Sequence, residues 1–565
     1  MELNGSQIVI ESLKKEGVKV AFGYPGGAIM NVYDELYKQE GLEHILTRHE
    51  QAAVHAADAY ARVSGEVGVA IVTSGPGFTN AITGLATAYT DSIPIVVISG
   101  QVPLPLIGTD AFQEIDAVGI SRPCTKHNFL VDSIDTLADT IKEAFYIAKS
   151  GRPGPVHIDI PKDITAQSSN FSYPENISLQ TYKPTYKGSK KQIKRAIDAI
   201  KEAKKPVLYL GGGIVLSNAV KELREFMSLT GIPAVETLMA RGVCGDKNEL
   251  LLGMVGMHGS YASNMAMSEA DLMIALGSRF DDRVTGRVDE FGKHAKIIHV
   301  DIDPSSIGKI ISVDYPIVGD LKDVLGSMND IVKEDFDKDR YSSWIELLNR
   351  YNEIHPLSFE DSDDVLKPQW VIKRVGELLG DRANISTDVG QHQMWTAQFY
   401  PFSRPRQLVT SGGLGTMGFG FPAAIGAKKA DSSKISINIS GDGSILMNIQ
   451  ELMTAVESKI PVINIILNNN YLGMVRQWQT FFYDKRYSET DLSMQPDFVK
   501  LAESFGAIGY RVESKEEFDK ALNDAIDKNI VAMIDVKIDR LENVLPMVPS
   551  GGSLYNMLLE FKDDQ

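Results

Sequence analysis

At 565 residues the chain is longer than one hydrophobic core supports, and ordinary domain sizes point to three or four domains. It carries 57 Lys and Arg against 74 Asp and Glu, a formal net charge of −17 with no basic tract, which argues against binding nucleic acid through its phosphates. Cys124 and Cys244 lack metal-ligand spacing and exclude a disulfide framework, and no segment approaches the apolar length of a membrane span.

The N-terminus, MELNGSQIVIESLKKEGV, passes straight into an amphipathic helical pattern, with no charged start before an apolar run. A bacterial or archaeal cytoplasm is the simplest address, in keeping with two unpaired thiols, and a trimmed organellar protein would read the same. Further along, residues 67–98 read as the β run VGVAIVTSGPG, the helix FTNAITGLATAYTDS and the β run IPIVVI. Residues 206–235 repeat the plan as PVLYLGGG, a helix and GIPAV, and residues 435–467 as ISINISGDGS, MNIQELMTAVESK and IPVINIIL. Each copy is a buried β run, a glycine turn, a helix, and a second β run introduced by Ile-Pro, which marks a parallel βαβ unit. In the third copy Ile449, Leu452, Met453 and Val456 fall on one helical face, as a helix covering a sheet requires.

Three such units predict three doubly wound α/β domains with parallel sheets. Breaks fall in the polar stretch 166–188 and the acidic stretch 355–367, giving domains at 1–165, 189–345 and 368–547 and a tail at 548–565. From Leu545, with Pro546, Pro549, Ser550, Gly551 and Gly552, the tail reads as a mobile loop ending in a short helix.

The third unit carries chemistry. Asp442, in Gly441-Asp442-Gly443, follows a strand and opens a helix, and the next strand ends at Asn468-Asn469-Asn470. Ligands of open α/β sheets bind outside the carboxyl ends of strands. One crossover therefore brings a carboxylate and an amide oxygen to neighbouring strand ends, which suits a hard cation such as magnesium. A lone GDG is more often a turn, with Asp as a helix cap. The Asn-rich strand end one crossover away sets this copy apart, as the other two have Pro76 and Gly212 in place of Asp442.

The segment from Gly441 through Asn469 resembles the thiamine-diphosphate signature. GDGSILMNIQEL, LNNNYLGMVRQWQ, FGYPGGAIMNVYDEL, TRHEQAAVHAADAYAR, TSGPGFTNAITGLATAY, GTDAFQE and RFDDRVTG together resemble the acetohydroxyacid (acetolactate) synthase large-subunit family across nearly the whole chain. The resemblance implies a first domain that holds the aminopyrimidine, a third that holds the diphosphate, and a central FAD-binding domain. It implies Asp442 and Asn469 as magnesium ligands by side chain and Tyr471 by its backbone carbonyl. It makes Glu50 the carboxylate that drives the pyrimidine tautomer, although a first-turn Glu is by itself an ordinary partner of the helix dipole. Met417 then lies beneath the bent cofactor. Pro76, Asn80, Val389, Gly390, Gln391, His392, Gly415, Gly443, Ser444, Leu472 and Met474 complete the thiamine-diphosphate set.

In this family pyruvate is attacked, loses carbon dioxide, and the resulting hydroxyethyl-thiamine carbanion adds to a second 2-oxo acid. Pyruvate as acceptor gives acetolactate, 2-oxobutyrate gives acetohydroxybutyrate, and branched-chain amino-acid biosynthesis follows. Trp478 and Arg283 match the acceptor-selecting positions, and Gln113, Phe112 and Lys162 match active-site positions. The FAD set is Arg152, Gly211, Gly212, Gly213, Thr237, Leu238, His258, Gly277, Arg279, Asp281, Arg283, Asp301, Ile302 and Asp320. Arg279-Phe280-Asp281-Asp282-Arg283 is the run that biosynthetic members carry and the FAD-free catabolic ones lack. The resemblance also implies a homodimer or dimer of dimers with the active site between chains, and a small regulatory subunit. The rivals are a flavin pyruvate oxidase, a 2-oxo acid decarboxylase and a silent FAD-binding protein. The short, acidic C-terminus LYNMLLEFKDDQ does not suit a lipid-seeking oxidase, and Glu50, Asp442 and Asn469 are all present, against the silent reading.

Overall fold

A computed structural model describes residues 1–561. It resolves three six-stranded sheets, distributed over two compact bodies. One body comprises residues 1–182, 382–393 and 409–540, and the other residues 183–381, 394–408 and 541–565.

The first body holds two sheets of the same design. The N-terminal one runs, in spatial order, Glu43–Leu46, Val20–Gly23, Gly68–Val72, Ile95–Gln101, Val156–Pro161 and His127–Leu130, every pair parallel. The C-terminal one runs Ala383–Thr387, Ile435–Gly441, Val462–Asn468, Ala532–Lys537 and Ile508–Val512, also parallel, edged by the two-residue strand Leu408–Val409. The βαβ units expected around 67–98 and 435–467 are the centres of these sheets. In both, the order reverses beside the first strand, the kind of switch point at which α/β sheets open a ligand crevice.

Between the two sheets lie helices Glu50–Ser64 and Gly420–Ala430. The first carries Ala52, Ala53, Ala56, Ala57, Ala59 and Ala61, all buried, because it has no solvent face. A Cβ on Gly426 would meet the Ala56 carbonyl at 2.0 Å, and one on Gly68 the Ala57 carbonyl at 2.0 Å, so only small residues permit this approach. A buried ion network spans the junction: Arg62 Nε donates to Asp58 at 2.5 Å and its guanidinium to Asp91 at 2.9 Å. Asp91 also accepts from the backbone N–H groups of Gly412 at 3.0 Å and Gly413 at 2.7 Å.

The second body is built on Leu251–Met254, Ala234–Glu236, Pro206–Leu210, Leu272–Leu276, Lys296–Asp301 and Tyr315–Val318. All pairs are parallel. Numbered along the chain, this order is 3-2-1-4-5-6, that of dinucleotide-binding sheets.

Two local expectations are corrected. Among the described residues the tail forms no helix: Met547 pairs with Leu558 in an isolated antiparallel bridge, and Val548 N–H donates to Met257 O at 2.8 Å. Gly551 turns at φ +72°, Arg287 N–H reaches Gly552 O at 3.1 Å, and Val548 and Leu554 enter the core of the second body. Backbone groups satisfied by neighbours need no helix. Residues 562–565 of the expected final helix lie outside the described residues. In the third crossover the α-helix is only Glu451–Glu457, and its buried residues are Glu451, Leu452, Thr454 and Ala455, with Ile449, Met453 and Val456 half-buried. The helix turns Glu451 inward because that carboxylate accepts from Arg48 N–H at 3.1 and 3.2 Å.

Candidate functional site

Strands Ile435–Gly441 and Val462–Asn468 are neighbours with Gly441 opposite Leu467, so Asp442 and Asn469 leave the sheet side by side at its carboxyl edge. Asp442 is 1% exposed; Oδ2 accepts from the Gln495 amide, and Oδ1 has no hydrogen-bond partner among the described residues. Burial pushes its carboxyl up to about 7, because surroundings poor in water disfavour the charged form. Asn469 Oδ1 accepts from Tyr471 N–H at 3.0 Å, and its amide donates to Gln391 Oε1 at 3.2 Å. Among the described residues no group of three or more His, Cys, Asp or Glu can hold a metal. The donors gathered here are instead one carboxylate, one amide oxygen and nearby backbone carbonyls, a set that fits magnesium completed by phosphate and water.

Three glycine turns surround these donors. Val389, Gly390, Gln391 and His392 follow strand Ala383–Thr387, and a Cβ on Gly390 would lie 2.9 Å from the His392 ring, one on Gly441 3.1 Å from it. Burial holds the His392 imidazole down to about 3, hence neutral. Ser444 Oγ bonds back to Gly441 N–H at 3.1 Å. Gly415 and Gly418, at φ +70° and +85°, shape the loop that carries Met417, and a Cβ on Gly415 would lie 3.8 Å from Val389 Cγ1. A Cβ on Gly443 would strike Leu472 at 2.8 Å, and Met474 sits half-buried in the first turn of helix Gly473–Phe482. Trp478, on the same helix, stands edge-on to Phe482 at 5.5 Å. Motif reading missed Asp388, Glu451, Gln477 and Gln495, whose contacts here are long-range. Asp388 is buried and pushed up to about 6 by burial while accepting from Gly420 N–H at 2.7 Å, and Gln391 donates to Gln477 at 2.9 Å.

A second cluster sits at the carboxyl edge of the N-terminal sheet. Glu50 is the first residue of its helix and 8% exposed; Oε2 accepts from Asn80 Nδ2 at 3.0 Å, and Oε1 faces Gly77, whose Cβ would lie 3.2 Å away. Pro76 begins the helix Pro76–Asp91 that carries Asn80. Gly75, at φ +56°, packs on Gln113, whose own φ of +59° is rare outside glycine. Beside it Phe112 is 88% exposed. Lys162, exposed, opens helix Lys162–Ala166 where strand Val156–Pro161 ends, on the same edge of the sheet.

Glu50 and the loop that carries Met417 are held at different points of one helix. Glu50 is bonded to Asn80 at the start of helix Pro76–Asp91, whereas the loop 412–416 is bonded to Asp91 and, through Thr416, to Thr87 at 2.8 Å near its end. At about 1.5 Å per residue the separation of Asn80 from Asp91 is about 16 Å.

In the second body the FAD candidates line the carboxyl edge of the 3-2-1-4-5-6 sheet. Gly211, Gly212 and Gly213 leave strand Pro206–Leu210, Thr237 and Leu238 leave Ala234–Glu236, and Gly277 leaves Leu272–Leu276 at φ +61°. Asp301 ends Lys296–Asp301 with Ile302 next, and Asp320 follows Tyr315–Val318. A Cβ on Gly211 would meet Gly277 O at 2.2 Å, and one on Gly213 would meet Gly277 Cα at 2.7 Å, so the two central turns touch backbone to backbone. Asp281 accepts from Arg283 N–H at 3.0 Å and stands 3.7 Å from Arg279, and His258 Nδ1 lies 3.2 Å from Pro546 O. The Arg283 side chain is mostly exposed, 3.8 Å from Asp282. Arg152 belongs to the first body, where its Nε donates to Ser92 Oγ at 2.8 Å.

Two parallel sheets with switch points, one carrying a buried carboxylate and amide pair at its carboxyl edge, form the arrangement in which α/β enzymes hold a ligand. Family models agree: residues 3–120 match the N-terminal TPP binding domain of thiamine pyrophosphate enzymes, 193–328 their central domain, and 388–536 their C-terminal TPP binding domain. The chain belongs to the thiamine pyrophosphate enzymes. It is 47% identical to the acetolactate synthase large subunit of Haemophilus influenzae, over 99% of this chain and 98% of that protein. It is 46% identical to the acetolactate synthase isozyme 3 large subunit of Escherichia coli, over 99% and 98%. It is 48% identical to the probable acetolactate synthase large subunit of Methanocaldococcus jannaschii, over 98% and 95%. Within the thiamine enzymes, its family is that of the acetolactate synthase large subunits.

Proposed function

We propose that the chain is the catalytic subunit of a thiamine-diphosphate- and magnesium-dependent acetolactate synthase. It joins the two-carbon remainder of pyruvate, after loss of carbon dioxide, to a second pyruvate or to 2-oxobutyrate. The observation that carries the metal reading is the buried Asp442 Oδ1, left without a hydrogen bond beside the Asn469 amide at adjoining strand ends. When bound, thiamine diphosphate supplies the acidic carbon that attacks the 2-oxo carbonyl. Asp442, Asn469 and the Tyr471 carbonyl hold the magnesium, and Val389 to His392, Gly443 and Ser444 surround the diphosphate.

Glu50 holds a proton at the pyrimidine. Its Oε2 is tied to Asn80, which leaves Oε1, beside Gly77, as the oxygen that would meet the pyrimidine. Gln113, Phe112 and Lys162 border the same strand ends. Arg283 receives the acceptor's carboxylate, for which a guanidinium is the natural fork, and Trp478 offers an indole face to its alkyl group. FAD is assigned to the 3-2-1-4-5-6 sheet, on the touching turns Gly211–Gly213 and Gly277; with no net redox step, its role is structural. The site is shared between two copies, a reading supported by the separation along helix Pro76–Asp91 of the points that hold Glu50 and loop 412–416. A small regulatory partner is supported by the words "large subunit" in the relatives' names.

Turnover of pyruvate should require both thiamine diphosphate and magnesium, and Glu50→Gln should keep the cofactor while losing most activity. Pyruvate turnover that survives removal of both cofactors would overturn the reading.

A further inference from the structure

The segment between helices Gly473–Phe482 and Phe498–Ser504 returns to the strand ends with unusual exactness of hydrogen bonding. Asp491 bridges Tyr471 in antiparallel fashion, Leu492 N–H donates to Asn470 O at 2.9 Å, and Leu472 N–H donates to Thr490 O at 2.9 Å. Arg540 fastens the same stretch: it donates to Asp491 at 2.6 Å and to Ser493 Oγ at 3.0 Å, with its guanidinium 4.4 Å from the centre of the Tyr471 ring. On the far side Asp497 caps helix Phe498–Ser504 through Val499 N–H and Lys500 N–H. Gln495 hangs between these two anchors. Its Nε2 donates to Asp442 Oδ2 and its Oε1 accepts from Asn468 Nδ2 at 2.9 Å.

The direction of this amide is dictated from behind. Asn468 Nδ2 also donates to Asp535 Oδ1 at 2.7 Å, and Asn468 Oδ1 accepts from Asn470 N–H at 3.2 Å. Lys537 Nζ stands 3.0 Å from the other oxygen of Asp535. Asn468 must therefore turn its NH2 toward Asp535, which leaves Gln495 to accept with its carbonyl and to donate with its NH2 toward Asp442. One oxygen of Asp442 is occupied by a donor and the other, Oδ1, stays open.

We infer that Gln495 is a positioning residue of the cation site: it engages Asp442 Oδ2 so that Oδ1 alone is presented to the metal. The inference rests on the reading of Asp442 as a magnesium ligand. Hydrogen-bonded partners behind a ligand orient it, and removing one weakens metal binding by about 10- to 100-fold. Gln495 does not touch the reacting atoms, so its effect belongs in metal affinity.

The test counts free Mn2+ by electron paramagnetic resonance while the apo-protein is titrated with Mn2+ at saturating thiamine diphosphate. Gln495→Leu keeps the bulk and removes both hydrogen bonds; Gln495→Ala is the second variant should the first fail to fold, and Asp442→Ala is the reference. The Gln495 variants are expected to bind Mn2+ about 10- to 100-fold more weakly, with a far-UV spectrum like that of the parent, and Asp442→Ala more weakly still. Weakened binding in Asp442→Ala with parental affinity in the Gln495 variants overturns the role of Gln495 alone. Parental affinity in Asp442→Ala overturns the metal reading and this inference with it.

Discussion

If two copies share each site as proposed, co-expressing a Glu50→Gln chain with an Asp442→Ala chain, each carrying its own affinity tag, yields two parental dimers and one mixed dimer, and only the mixed one is expected to turn over pyruvate. The reasoning starts from the about 16 Å of helix between Asn80, which holds Glu50, and Asp91, which holds loop 412–416. On the proposed reading, a thiamine diphosphate held by this chain's cradle meets the Glu50 of a second copy rather than its own. In the mixed dimer one site then collects both defects while the other has neither. Loss of a proton-handling carboxylate costs about 10²–10⁴-fold, so each parental dimer is nearly inactive. The mixed dimer, isolated by two successive affinity steps, should recover about half the activity of an unaltered dimer by the count of sites. Acetolactate formed per minute is the assay. A doubly tagged dimer no more active than its parents would mean that each site is completed within one chain, and the shared site would be wrong.

Other expectations follow from the same geometry. In Gly211→Ala the new Cβ would stand 2.2 Å from the Gly277 carbonyl, both on backbone that cannot yield; about 1–3 kcal/mol of overpacking should empty the protein of FAD while thiamine diphosphate affinity persists, and full flavin absorbance after purification would refute the assignment. Trp478→Leu should lower the preference for 2-oxobutyrate over pyruvate, since a methylene in a shaped apolar pocket is worth about 1–3 kcal/mol; an unaltered product ratio in mixed-substrate competition removes Trp478 from the pocket. Asp159, buried between Ser99 Oγ at 2.6 Å and Gln101 Nε2 at 3.0 Å, has its carboxyl raised by burial to about 7, so the fold prefers it protonated. That contribution is present below the ordinary carboxylate range and fades as pH rises toward about 7. Asp159→Asn should flatten this part of the stability profile, and a thermal midpoint that falls as steeply as the parent's across that window would contradict it.

The parallel sheets were legible because their signals are local. A β run, a glycine turn and an Ile-Pro re-entry recur within about thirty residues, and Asp442 and Asn469 become neighbours through a single crossover, so their pairing could be read from spacing. Gln495 and Glu451 carry no such mark. One reaches Asp442 from the segment beyond the next helix, and the other reaches Arg48 across the junction of two sheets, so both are set by tertiary contact. The third crossover helix was misread on its face for the same reason: an apolar stripe shows where hydrophobic residues point, and the demand of Arg48 N–H for a carboxylate does not appear in it. The tail was misread because helical propensity lost to backbone partners at Met257 and Arg287. The glycine turns do not disclose the strand order, which is 3-2-1-4-5-6 in the central sheet and 2-1-3-4-6-5 in the C-terminal one.

Product analysis puts the whole account to its most direct trial. Purified protein loaded with thiamine diphosphate, magnesium and FAD is supplied with pyruvate alone, and carbon dioxide, acetolactate, acetaldehyde and acetate are measured together under air. The account predicts one carbon dioxide and one acetolactate for every two pyruvates consumed, with no oxygen uptake coupled to turnover. Acetaldehyde, or acetate with matching oxygen consumption, as the main product would contradict it and make the chain a decarboxylase or an oxidase on the same fold.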